Sequence, residues 1–191
     1  MHRGDRVRSR RSLFRPDEVG KEVRVVAPWA KGGLSITREV LARVDEEAVS
    51  AYARDEESCG ILRGPLANAL HVDEIVPMEN RANKLHALDP ESYPRTGRMY
   101  FDLDPRKFAR LVEEGEANGR PVKILYHSHL DVGAYFSETD AAAAKGGGEE
   151  PTYALAYLVT SVRNGRVDDR KLFIWNEKTR AFDESTLTLS D

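Results

Sequence analysis

Two histidines, a serine and an aspartate occur close together in the segment HSHLDVGAYFSETD, residues 127–140. A mostly apolar run over 122–126 precedes it and predicts a strand, in which His127 and His129 project from the same face. Asp140 stands where a predicted helix begins, before the alanines 141–144. Two imidazoles and one carboxylate are a ligand set that suits zinc, with a fourth position left for water. The segment therefore predicts a metal site of His127, His129 and Asp140.

The same residues also allow simpler interpretations. Histidines at this spacing occur as ordinary, partly buried residues, and Ser137 followed by Asp140 has the pattern of a helix-capping box. As an N-cap, the Ser137 hydroxyl accepts a backbone N–H, whereas as a catalytic helper it would donate to a developing oxyanion. His71 and His86 occur without a supporting motif and are interpreted as structural or surface residues. A complete set of candidate metal ligands lies in a single strand–loop–helix unit, and this favours the metal site.

A metal-activated water needs a proton acceptor, and Glu57 is the candidate. It stands at the entrance of a short strand bracketed by Gly60 and Gly64, where a carboxylate can lie beside the metal and pass a proton to a leaving amine. In an extended segment Glu57, Cys59 and Ile61 share one face, but alternation does not say which face meets the metal. The alternative is a solvated carboxylate in the acidic run 55–57.

The remaining elements must position these residues. The helix over 36–52 has one apolar stripe and is capped by Ser35 or Thr37, while a strand over 70–78 would pair with the strand after Glu57. A polar connection over 79–98 follows, then a short strand over 99–103 and a helix that starts at Asp104 and Pro105. Further strands are predicted over 153–162 and 172–175, joined by an Asn-Gly turn, and a last one around Leu187 and Leu189 closes the sheet.

This order of elements predicts an α/β layered domain whose mixed, mostly antiparallel sheet is flanked by helices. A doubly wound dinucleotide fold is excluded, because the glycines 146–148 follow a helix rather than linking a strand to one. The length of 191 residues suits one domain, predicted over 34–191. A basic, partly disordered extension with a short strand over 23–27 is predicted for residues 1–33.

Composition further limits the class of protein and the kinds of site that the chain can have. The chain is 40% hydrophobic and 32% charged, without an apolar stretch typical of a membrane span or signal peptide, so we expect a cytoplasmic protein with no membrane partner. Cys59 is the single cysteine, which excludes an intrachain disulfide and a thiolate zinc cluster. Residues 1–33 carry nine Lys/Arg against four Asp/Glu, but without interleaved aromatic residues, so nucleic-acid binding is not expected.

The motifs resemble those of a known family. HSH, seven residues and SETD resemble the HxHx7SxxD signature of the JAMM metalloproteases, also called MPN-plus or JAB domains, and ESCGILRG resembles their upstream glutamate block. The resemblance spans roughly residues 34–175 and implies a cytidine-deaminase-like layered fold. It also implies one zinc ion bound by the two histidines and Asp140, with Glu57 as general acid/base and Ser137 assisting the oxyanion.

The implied reaction is hydrolysis of an amide or isopeptide bond after the C-terminus of a ubiquitin-like protein. The short chain resembles bacterial members that process sulfur-carrier proteins, and the connection over 79–98 would hold an extended tail as an added strand. Leu130 and Phe136 stand where the family commonly has proline, so we expect Asp131, Tyr135 and Phe136 to line the approach. The alternative is a noncatalytic module that binds a ubiquitin-like partner.

Overall fold

A computed structural model describes residues 33–191. The predicted basic extension and its strand over 23–27 therefore lie outside the described residues, apart from residue 33. In chain order the elements are β1 (Leu34–Thr37), α1 (Arg38–Tyr52), β2 (Cys59–Arg63), β3 (His71–Val72), β4 (Glu74–Met78), α2 (Ala82–Leu88), α3 (Pro105–Ala117), β5 (Val122–Leu130), α4 (Glu138–Lys145), β6 (Ala156–Arg163), β7 (Arg166–Asn176), β8 (Ala181–Ser185) and β9 (Leu187–Ser190).

Six of the strands form the main sheet, in the order β4-β2-β5-β6-β7-β8. Every neighbouring pair is antiparallel except β5 and β6, which run parallel. A smaller parallel sheet has the order β3-β1-β9. The prediction of a mixed, mostly antiparallel sheet is therefore confirmed. Because β5 lies inside the main sheet, His127 near its end has a strand on either side, with Cys59 of β2 and Val159 of β6 opposite it.

The two faces of the main sheet pack against different layers. On one face, Ile124 and Tyr126 of β5 join a core that includes Val40 and Val44 of α1 and the small sheet. On the other face, Leu125 of β5 packs against a second core that includes Phe108 of α3. Since side chains alternate along a strand, His127 and His129 continue the face of Leu125. The candidate site therefore lies on the α3 side of the sheet.

Side chains at the helix starts explain where the helices begin. Thr37 caps α1 by accepting from the N–H of Val40 at 3.3 Å. Asp104 caps α3 by accepting from the N–H groups of Arg106 and Lys107, and Pro105 occupies the first turn, as predicted. Ser137 caps α4. No helix within residues 33–191 combines the length and the apolar composition needed to cross a membrane.

Four predicted elements were wrong in detail. The residues before Arg38 form β1 rather than the first turn of a helix, and the polar connection contains α2. The stretch 99–103 is not a strand, because its backbone bonds to the side chain of Asn80 and the backbone of Arg81 instead of a neighbouring strand. The strand with Leu187 and Leu189 pairs with β1 in the small sheet, while β8 forms the edge of the main sheet.

Candidate metal centre

The pairing of β2 with β5 decides which distant side chains meet the histidines. Cys59 lies opposite His127, and the N–H of Ser128 donates to the carbonyl of Ser58 at 3.0 Å, so the pairing continues past the start of β2. Two residues along, this antiparallel register places Glu57 opposite His129, and opposite residues share a face. Glu56 instead pairs with Arg54 at 2.7 Å. Glu57 is therefore the carboxylate on the histidine face.

The three predicted metal ligands converge. The Nε2 atoms of His127 and His129 lie 3.2 Å apart, and Oδ2 of Asp140 lies 3.6 Å and 3.8 Å from them. A tetrahedral zinc ion with bonds of about 2.0–2.1 Å holds its ligand atoms about 3.3–3.4 Å apart. The three side chains are buried, and their separations match such an ion with little adjustment. The donor set therefore fits zinc, as the family resemblance implies.

The hydrogen bonds of His129 leave the correct nitrogen free for a metal. Its Nδ1 lies 3.0 Å from the carbonyl oxygen of Gly133. A carbonyl only accepts, so we assign the proton to Nδ1, which leaves the Nε2 lone pair directed at the centre. This carbonyl contact on the far nitrogen is the usual support of a metal-binding imidazole. Burial lowers the pKa of His127, against the opposing effect of Asp140, which favours the neutral form of this imidazole.

Asp140 is held in place by Ser137. The N–H and the hydroxyl of Ser137 donate to Oδ2 of Asp140 at 2.8 Å and 2.6 Å, and the N–H of Asp140 donates back to the Ser137 hydroxyl at 3.1 Å. Burial alone would raise the pKa of Asp140, but its interactions with the neighbouring His127, His129 and Ser137 outweigh it and lower the pKa. The carboxylate is therefore ionised, and the capping interpretation of Ser137 describes its contacts here.

Glu57 is a buried carboxyl group at the edge of this cluster. Only 6% of the residue is exposed, and burial raises its pKa to about 9, with a contribution from the charge of Asp140. Its backbone is fixed on both sides, because its N–H donates to the carbonyl of Gly97 at 2.7 Å and its carbonyl accepts from Asn80 at 3.1 Å. A carboxyl with a raised pKa next to a ligand cluster is suited to proton transfer.

The loop between His129 and Ser137 has several anchors. Asp131, at a φ of +59°, accepts from Tyr52 at 3.0 Å and Arg98 at 2.8 Å, which ties the loop to α1. Phe136 packs into an aromatic cluster, with ring centroids 4.6 Å from Phe182 and 4.9 Å from Tyr157.

The predicted approach residue Tyr135 is 50% exposed, with its ring centroid 4.9 Å from that of His129. Of the three residues expected to line the approach, Tyr135 and Asp131 are exposed, whereas Phe136 is partly buried. Asp131 and Phe136 chiefly hold the loop, and their contact with substrate stays a prediction.

The sequence interpretation missed two residues of the site. Phe101 stacks on His127, with centroids 4.7 Å apart and an interplanar angle of 27°. Asn80 binds the backbone of the segments that carry Glu57 and Phe101. Asn80 stands in the polar connection over 79–98, and Phe101 stands in the stretch 99–103 that was predicted as a strand. Only their residue types, an amide and an aromatic, gave any signal.

The other histidines and the cysteine lie as expected for structural residues. Nδ1 of His71 is 3.1 Å from the hydroxyl of Ser35 in the small sheet, and Nδ1 of His86 is 2.7 Å from the carbonyl of Tyr93. Cys59 is buried in β2, and burial raises the pKa of its thiol. Among residues 33–191, the grouping of His127, His129 and Asp140 is the one cluster of three or more such side chains with metal-binding spacing.

Comparison with known proteins agrees with this architecture. A family model described as prokaryotic homologs of the JAB domain matches residues 38–175, which include all three candidate ligands and Glu57. A solution structure of a protein from Desulfitobacterium hafniense is 22% identical, with a TM-score of 0.60 over 83% of this chain and 93% of that one. A solution structure of a protein from Salinibacter ruber is also 22% identical, with a TM-score of 0.54 over 83% and 92%. These two likenesses show the fold.

A crystal structure of a JAB1/MPN domain protein from Archaeoglobus fulgidus is 16% identical, with a TM-score of 0.49 over 83% of this chain and 98% of that one. Among curated proteins, no significant match was found.

Proposed function

Since this chain belongs to the family of prokaryotic homologs of the JAB domain, we propose that it is a zinc-dependent peptidase or isopeptidase. Its substrate would be an amide bond at the C-terminus of a ubiquitin-like or sulfur-carrier protein. The observation that supports this most is the convergence of two imidazole nitrogens and one carboxylate oxygen within 3.8 Å of each other, on the face that also carries Glu57. A noncatalytic module has no need of a buried proton acceptor there.

The three side chains present their donor atoms as a metal requires. Burial favours the neutral form of His127, the contact of Nδ1 with Gly133 leaves Nε2 of His129 directed at the centre, and Asp140 presents an ionised oxygen that Ser137 holds at 2.6 Å. When bound, a zinc ion supplies a Lewis acid that lowers the pKa of a coordinated water towards 7. His127, His129 and Asp140 would hold such an ion with three protein ligands, as catalytic zinc sites do, which keep a fourth position for water or substrate.

Glu57 would carry the proton in both halves of the reaction. It takes a proton from the attacking water and delivers it to the nitrogen of the scissile bond, so that the amine leaves in neutral form. In the metal-free protein burial raises the pKa of Glu57 to about 9, so the carboxyl holds its proton. The positive charge of a bound zinc ion would favour the carboxylate form, which can accept a proton from water. Its backbone contacts on both sides keep the carboxyl from turning away from the histidine face.

Ser137 has a second role in this proposal. Its hydroxyl hydrogen points to Asp140 in the structure, which orients the carboxylate. Rotation about the Cβ–Oγ bond would let the same hydroxyl donate to the oxygen of the tetrahedral intermediate, while the N–H of Ser137 still holds Asp140 at 2.8 Å. The two roles are therefore compatible during the reaction, although they compete for one hydrogen.

Exposed apolar side chains on the segments around the site support a protein substrate. Tyr135 and Val132 of the loop after His129 are 50% and 43% exposed, and Met99, two residues before Phe101, is 71% exposed. Apolar groups left in water beside a polar site are typical of surfaces that bind another chain. We propose that they contact the C-terminal tail of a cytoplasmic ubiquitin-like or sulfur-carrier protein.

The test combines metal analysis with a panel of substrates. Purified protein should contain about one zinc ion per chain, as expected for a mononuclear site. Fusions of ubiquitin-like and sulfur-carrier proteins to a reporter, linked through the C-terminal glycine, should be cleaved at that bond, with the products identified by mass spectrometry. Protein that binds no zinc at micromolar free metal would refute the proposal. Zinc-loaded protein that binds these partners but cleaves none of them would instead be a noncatalytic module.

A further inference from the structure

The side-chain amide of Asn80, two residues after β4, uses its full hydrogen-bonding capacity on backbone groups. Nδ2 donates to the carbonyls of Glu57 and Tyr100 at 3.1 Å and 3.0 Å. Oδ1 accepts from the N–H groups of Ala82 and Asp102 at 3.0 Å and 3.1 Å. Asn80 is 9% exposed, so water does not readily replace these bonds. One buried amide therefore joins the entrance of β2, the start of α2 and the segment 100–102.

Two of these three segments carry side chains of the candidate site. The carbonyl that Asn80 holds belongs to Glu57 itself. Asn80 also binds the backbone of Tyr100 and Asp102, the two neighbours of Phe101 in the chain. The ring of Phe101 stacks on His127, with centroids 4.7 Å apart. A shift of Asn80 would therefore move the proton acceptor and the ring that covers a metal ligand together.

No other side chain of this size could make the same contacts. An amide has two donor hydrogens and an acceptor oxygen with two lone pairs, and all four are used here. An aspartate has nearly the same shape but no donor, so one of its oxygens would face two carbonyl oxygens. The segments would then separate, because buried polar groups that repel each other cost more than those that are unpaired.

We propose that Asn80 is a positioning residue: through the backbone of residues 57 and 100–102 it sets the place of Glu57 and of Phe101 relative to His127. The effect on turnover rests on the proposed function, whereas the effect on geometry does not. A further link between the same regions, from the N–H of Glu57 to the carbonyl of Gly97 at 2.7 Å, does not involve Asn80. Substitution of Asn80 should therefore displace these groups rather than unfold the protein.

The geometry is tested in isotope-labelled, metal-free protein by the NMR shifts of the His127 ring protons. Stacking by Phe101 should shift these protons upfield in the wild type, and Phe101→Leu supplies the reference without stacking. Asn80→Asp should move the shifts towards that reference, while the matched change Asn118→Asp, on an exposed residue at the end of α3, should leave them unchanged. Wild-type shifts in a folded Asn80→Asp protein would overturn the proposal.

The kinetic test uses zinc-loaded protein and a fusion that the wild type cleaves. Asn80→Asp should lower kcat about 10- to 100-fold with KM within about twofold and zinc content unchanged, because a displacement of about 1 Å costs that much. A rise in KM or a loss of zinc, with kcat unchanged, would contradict a positioning role. If Asn80→Asp does not fold, Asn80→Ser, which keeps one donor and an acceptor, should show the same two effects to a smaller extent.

Failure of the proposed function is separable from failure of this inference. If wild-type protein cleaves no fusion but the His127 shifts respond to Asn80→Asp, the enzyme proposal is refuted and the positional assignment stands. If wild-type protein is active and Asn80→Asp has wild-type kcat, the inference about Asn80 is refuted and the enzyme proposal stands.

Discussion

The backbone N–H of Ser58 donates to the hydroxyl of Ser128 at 2.8 Å, which joins the residue after Glu57 to the residue between the two histidines. The N–H of Ser128 donates back to the carbonyl of Ser58 at 3.0 Å. Both serines are buried, on the opposite face of the sheet from the metal ligands. This reciprocal pair therefore fixes the separation between the segment of Glu57 and the strand of the two histidines without occupying the candidate site.

Removing the Ser128 hydroxyl should weaken this link. Ser128→Ala leaves the N–H of Ser58 without its acceptor in a buried position, at a cost of about 1–3 kcal/mol in the free energy of unfolding. Urea denaturation of the metal-free protein measures the loss. Ser128→Thr keeps the hydroxyl and suits a strand, so it should restore most of the stability. Equal stability of the alanine and threonine variants would show that the hydroxyl contributes little.

Neutralising Glu57 should separate turnover from metal binding. Glu57→Gln keeps the shape of the side chain but cannot accept a proton, so kcat should fall about 10²- to 10⁴-fold while zinc content stays at wild-type level. Metal analysis and cleavage of the same fusion measure both. The adjacent Glu56→Gln is the matched control, because Glu56 pairs with Arg54 away from the site. Full activity of Glu57→Gln would reject the proton-transfer role.

Each metal ligand should be needed for zinc-dependent stability. His129→Ala removes one of three ligands, so added zinc should no longer raise the melting temperature as it does when a metal binds only the native state. Thermal unfolding with and without zinc or a chelator measures this. His71→Ala is the control, since His71 lies in the small sheet beside Ser35. A zinc-induced increase retained by His129→Ala, or lost by His71→Ala, would place the metal elsewhere.

Lys123 should contribute to stability apart from the site. Its ammonium group is buried and donates to the carbonyls of Pro65, Asn68 and His71 at 3.0, 2.7 and 2.7 Å. Lys123→Met keeps the length of the chain but leaves these carbonyls unpaired, with an expected loss of about 2–4 kcal/mol in the free energy of unfolding. Denaturant titration measures the loss. The exposed Lys84→Met should change stability by less than about 1 kcal/mol.

Asp104 should make stability depend on pH in the acidic range. The pKa of the Asp104 carboxyl is lowered mainly by the hydrogen bond that it accepts from the backbone N–H of Lys107. The bond from the N–H of Arg106 lowers it further. A carboxyl whose pKa is lower in the folded state stabilises the protein above its unfolded pKa of about 3.9, and this contribution is lost as the pH falls below it.

Unfolding of the wild type and of Asp104→Asn from about pH 3 to 6, on either side of that ordinary pKa, measures this contribution. Asparagine is also a good N-cap but does not titrate, so the wild type should lose stability relative to this variant only at the acidic end. Parallel stability curves for the two proteins would contradict the role assigned to the Asp104 charge.

Local sequence decided much of the candidate site. His127 and His129 share a face in any strand, because alternate side chains do, and Ser137 and Asp140 form a capping box within one helical turn. The start of α3 at Asp104 and Pro105 follows from the same kind of local preference. These features depend on residues at most four positions apart, and the predictions for them agree with the structure.

Tertiary structure alone decided which distant residues meet these groups. Alternation grouped Glu57 with Cys59 but left their face open, and only the register of β2 on β5, across 70 residues between Ser58 and Ser128, turned Glu57 towards the histidines. The stacking of Phe101 and the four bonds of Asn80 likewise join segments with no common period. The register of a strand depends on all the backbone hydrogen bonds and buried side chains of the sheet. A local sequence pattern does not specify these distant partners.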